Sequence, residues 1–102
     1  SPSRPPWDWR FQVMVASALA LGYLGPDEPS NMPNHPLVRL LDGPIDWSTT
    51  AAVIALGDIA VRDARFAATI TRELESRLSL PTTPIWYQCF AQPARWILLQ
   101  LM

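Results

Sequence analysis

The chain holds one thiol and one imidazole, Cys89 and His35, the usual starting point for nucleophilic catalysis. Such a pair works only if the imidazole lies within hydrogen-bond reach and can draw off the thiol proton. The local settings point elsewhere. Cys89 sits in Trp86-Tyr87-Gln88-Cys89-Phe90, an apolar helical stretch where a free cysteine behaves as a small buried hydrophobe. His35 precedes the helix-starting Pro36, which gives it a surface or capping role. With one Cys and one His there is no internal disulfide, no cysteine cluster, and no zinc or haem site made by this chain alone. The carboxylates are also explained without catalysis: Asp8, Asp46 and Asp63 as helix caps, Asp42 by its place at a helix end, Asp27-Glu28 in a loop, and Asp58 on an exposed position of a helix. The four glycines fall at helix ends or close contacts rather than in a phosphate-binding loop. The residues therefore imply no catalytic group, no cofactor and no metal, and the chain is read as a protein that is not an enzyme.

The residues that stand out are suited to contact. Five tryptophans are many for 102 residues. Trp9 and Trp47 follow helix caps, where they wedge helix starts against adjacent hairpins. Trp7 and Trp86 are candidate anchors for a partner, because exposed Trp and Arg dominate binding hot spots. The last segment ends on Trp96-Ile97-Leu98-Leu99-Gln100-Leu101-Met102, apolar in nearly every direction, and one helical neighbour cannot cover it. The candidate partner-binding residues are therefore Trp7, Trp86, Trp96, Leu99 and Met102.

Helix punctuation places the elements that carry these residues. Asp8 caps a helix over about 9–24, and Gly25-Pro26 ends it. A proline-rich loop follows, from Gly25 to His35. Pro36 then opens a short helix over 36–42, closed by Gly43-Pro44. Asp46 caps a helix over 47–61, whose Ala51, Ala52, Ala55 and Gly57 permit close approach to a neighbour. Asp63 caps an amphipathic helix over 63–80, with Phe66, Ile70, Leu74 and Leu78 every four residues and a Glu73–Arg77 pair outside. Thr83-Pro84 opens the last helix, over 84–101, and Pro93 is expected to bend or break it between Phe90 and Arg95. Leu21, Leu56, Ile59, Phe66, Ile70 and Leu74 should be buried. No segment alternates with the period of a strand, so the fold is all-α, a single domain over 1–102.

Ala-Leu-Gly recurs 35 residues apart, at Ala20-Leu21-Gly22 and Ala55-Leu56-Gly57, each copy downstream of an Asp-Trp pair. Such a period marks stacked helical units. His35-Pro36-Leu37-Val38-Arg39-Leu40-Leu41-Asp42, then Asp46 and Ala51-Ala52-Val53-Ile54-Ala55-Leu56-Gly57-Asp58-Ile59, resembles a HEAT repeat, with Val13 to Leu24 similar to the second helix of the preceding unit. Where that family carries an Arg early in the second helix, this chain has Met14 and Thr49. The resemblance implies stacked helical hairpins, an α-solenoid fragment of about two to three repeats within a longer chain or assembly. It also implies a scaffold that mediates protein–protein interaction. A second implication is an enzyme-associated domain such as a bilin-lyase-type chromophore-handling protein. The di-iron form of the family, which uses His-Glu pairs, does not match a chain whose single His precedes a proline.

Composition narrows the partners. Apolar residues make up 49% and charged residues 17%, a low charge content that fits surface reserved for another chain or for further repeats. Eight basic and nine acidic residues are mixed along the chain, and the basic stripe Arg62, Arg65 and Arg72 has acidic neighbours. That gives no electrostatic footprint for nucleic acid. The longest apolar stretch, Ala18 to Leu24, is too short to span a bilayer. A single cysteine fits the cytoplasm or another reducing compartment.

Overall fold

Asp46 starts the central helix by closing its first turn twice. Its carboxylate accepts from the Ser48 N–H at 2.8 Å, while the Thr49 hydroxyl accepts from the Asp46 N–H at 3.2 Å. This reciprocal box satisfies donors that have no partner inside the helix. The computed structural model describes Val13 and residues 15–20, 29–43, 45–79 and 83–102. Its elements are a helical segment α1 (15–20), a 3₁₀ helix Pro29–Asn34, α2 (Pro36–Leu40), α3 (Trp47–Arg62), a 3₁₀ turn Ala64–Phe66, α4 (Ala67–Leu78), α5 (Pro84–Trp86), a π turn Tyr87–Ala91, and α6 (Gln92–Leu101). Among the described residues there is no strand, and the fold is all-α as the sequence implies.

Several expectations need adjustment. The ends of the 9–24 helix, and Leu21 with them, lie outside the described residues. The expected loop before His35 folds over Pro29–Asn34 as a 3₁₀ helix, and it buries Met32. The second helix stops at Leu40, after which Leu41 and Asp42 bond three residues back to Val38 and Arg39 in a tight turn. Arg62, Asp63 and the 3₁₀ turn make the corner between α3 and α4, with the Asp63 carboxylate accepting from the Arg65 N–H at 3.1 Å. Ile59 is only half-buried, whereas Leu56, Phe66, Ile70 and Leu74 are fully in the core.

Pro93 does not break the last helix. Its missing N–H would have bonded the carbonyl four residues back, which belongs to Cys89. The helix widens to a π turn just before the proline, with the Gln92 N–H reaching Tyr87 O, five residues back. The Cys89 carbonyl instead accepts from the Thr50 hydroxyl of α3 at 2.7 Å, in the buried interior. A hydroxyl from a neighbouring helix thus completes what the proline removes.

Two contacts fix the helix order. Thr50 meets Cys89, and Gly57 meets Ile97, so α3 and the last helix run parallel. With the tight corner before it, α4 runs antiparallel to α3 and packs on both. Arg77 of α4 ties this layer to the α2–α3 turn. Its guanidinium donates twice to the Asp42 carboxylate, each at 2.8 Å, and also to the Glu73 carboxylate at 2.9 Å and the Glu73 backbone carbonyl at 2.8 Å. The Glu73–Arg77 pair was expected; the Asp42 arm was not.

The Arg77 guanidinium holds the Asp42 carboxyl below its ordinary value of 3.8, chiefly through the side-chain hydrogen bond. A depressed folded-state value stabilises the fold above the unfolded value and is lost as pH falls through the folded one. Because Asp42 is largely exposed, solvent screening keeps the effect small, and Arg77→Ala should cost about 1 kcal/mol at neutral pH. The difference between variant and parent should shrink below about pH 4. Urea titrations at pH 7 and pH 3 check both the size and the sign.

Candidate functional site

Gly57 determines the shape of the α3–α6 contact. A Cβ at this position would lie 2.4 Å from Ile97 Cδ1, so only glycine lets the two helices approach this closely. The floor formed by Gly57 and Ile97 is buried, and the helix surfaces rise on either side of it. Ile54, Asp58 and Val61 form the α3 wall; Trp96, Gln100 and Leu101 form the α6 wall. The result is an open apolar groove of about 280 Å³ along the C-terminal halves of both helices.

The rims of this groove are apolar and uncovered. Trp96 is 59% exposed and Val61 69%. Leu99 (65%) and Met102 (97%) continue the apolar surface on the outer side of α6. The polar lining is Gln100 of α6 and Asp58 of α3, which pairs with Arg62 one turn further along the helix at 2.8 Å. No thiol or imidazole lines the groove. Its chemistry is that of a contact surface: large apolar side chains that gain from losing water, edged by polar groups.

The sequence-predicted contact residues divide. Trp96, Leu99 and Met102 are exposed on one helix, as expected. Trp86 is not a surface anchor: it is buried, with its ring 5.6 Å from that of Phe90. The π turn that follows it adds a residue to one helical turn, which rotates Trp86 relative to Trp96 and carries it into the core. Trp7 lies outside the described residues. The α3 half of the groove was missed. A signal was present, however: the acid and base at i and i+4, Asp58 and Arg62, flank an apolar Val61, and charged residues outside an apolar one mark a solvent-facing position on a helix.

The reactive side chains lie elsewhere. Cys89 is fully buried, and burial pushes its thiol up from the ordinary value, against nucleophilic use at neutral pH. His35 caps α2, with Nδ1 accepting from the Leu37 N–H at 3.1 Å, and it is buried rather than at the surface. Arg62 and Arg65, two members of the basic stripe, pair with Asp58 and Asp63. Among the described residues no three His, Cys, Asp or Glu side chains come together as a metal cluster, and no helix is long and apolar enough to cross a membrane. Comparison of the chain with protein-family models, with curated proteins and with solved structures finds no match.

Proposed function

We propose that this protein is a non-catalytic helical scaffold that binds another protein, or further repeats of its own chain, through the face formed by α3 and α6. One observation carries the reading: Val61 and Trp96 stand exposed on an apolar groove whose polar lining is only Asp58, paired with Arg62, and Gln100. Apolar surface concentrated in this way is a normal mark of a protein interface. The HEAT-like reading draws support from helix directions. In a stack of helical hairpins the second helix of each unit runs parallel to that of the next, as α3 and α6 do, with an antiparallel helix beside them, as α4 is. The repeated Ala-Leu-Gly segment supports it too, since Ala55, Leu56 and Gly57 are all buried and Gly57 makes the close helix contact.

Replacing Leu99 and Met102 together by Glu tests the reading. Both side chains are mostly in water, so helical content by circular dichroism should stay at the parent level. The assembly measured by light scattering on the protein taken from its producing cells should become smaller. Unchanged assembly with unchanged folding would place the partner surface elsewhere.

A further inference from the structure

We draw no further inference here: the strongest candidate, the apolar groove between α3 and α6 floored by Gly57 and Ile97, belongs to the contact face already described, and nothing in the structure shows what covers it.

Discussion

Gly57→Leu should lower the stability of the fold by about 3 kcal/mol, the largest loss expected from any single change considered for this protein. The new side chain would enter a contact in which even a bare Cβ lies 2.4 Å from Ile97 Cδ1 and within 3.1 Å of two further Ile97 carbons. The end of Ile97 can swing aside, but its branch atoms at 3.0 and 3.1 Å move only with its χ1 angle or with the helix. Separating α3 from α6 would also strain the Thr50 bond to Cys89 further down the same contact. Gly57→Ala separates these effects. Alanine gains about 1 kcal/mol of helix propensity and loses about 2 to overpacking, so a net loss of about 1 kcal/mol is expected. Thermal unfolding should show the order parent, Ala, Leu, with a fall of about 15 °C for the leucine variant. An alanine variant more stable than the parent would mean that Ile97 repacks freely and that the groove floor is soft.

Thr50→Val should cost about 2 kcal/mol although it preserves shape. The valine methyl fills the space of the hydroxyl, but the Cys89 carbonyl then has no donor: Pro93 cannot supply one, and the site is closed to water. Pro93→Ala offers a partial rescue. It restores an N–H at the position that an unbroken α-helix would use, so the double variant should recover part of the loss. Comparing the single variants with the double variant in urea isolates the coupling between the two positions. Additive losses would show that the hydroxyl and the proline act independently.

These two cases show what the sequence reveals and what it conceals. Helix starts are legible because capping is local: Asp46, His35 and Thr83 each use a side chain within three residues of the amide they serve. The buried stripe Phe66, Ile70 and Leu74 is legible for the same reason, as a period along one helix. The Thr50–Cys89 bond joins positions 39 residues apart, and no local pattern announces it. The burial of Trp86 is hidden because the π turn shifts the phase of the last helix, and a regular helical period assigns its face wrongly. For the groove, sequence supplied one rim of the α6 side at Trp96, while Leu99 and Met102 lie on the outer side of that helix. The α3 side needed the helix contact at Gly57 to show which positions of α3 stay open.

The proposed meeting of the α3–α6 face with another protein is tested most directly by a photo-crosslink. Trp96 is replaced by a photoreactive phenylalanine in cells that make the protein, with Glu75 on exposed α4 replaced in the same way as the control. Irradiation should trap protein adducts from position 96 and few from position 75. Equal yields from the two positions, or no adduct from position 96 in a folded protein, would contradict the claim.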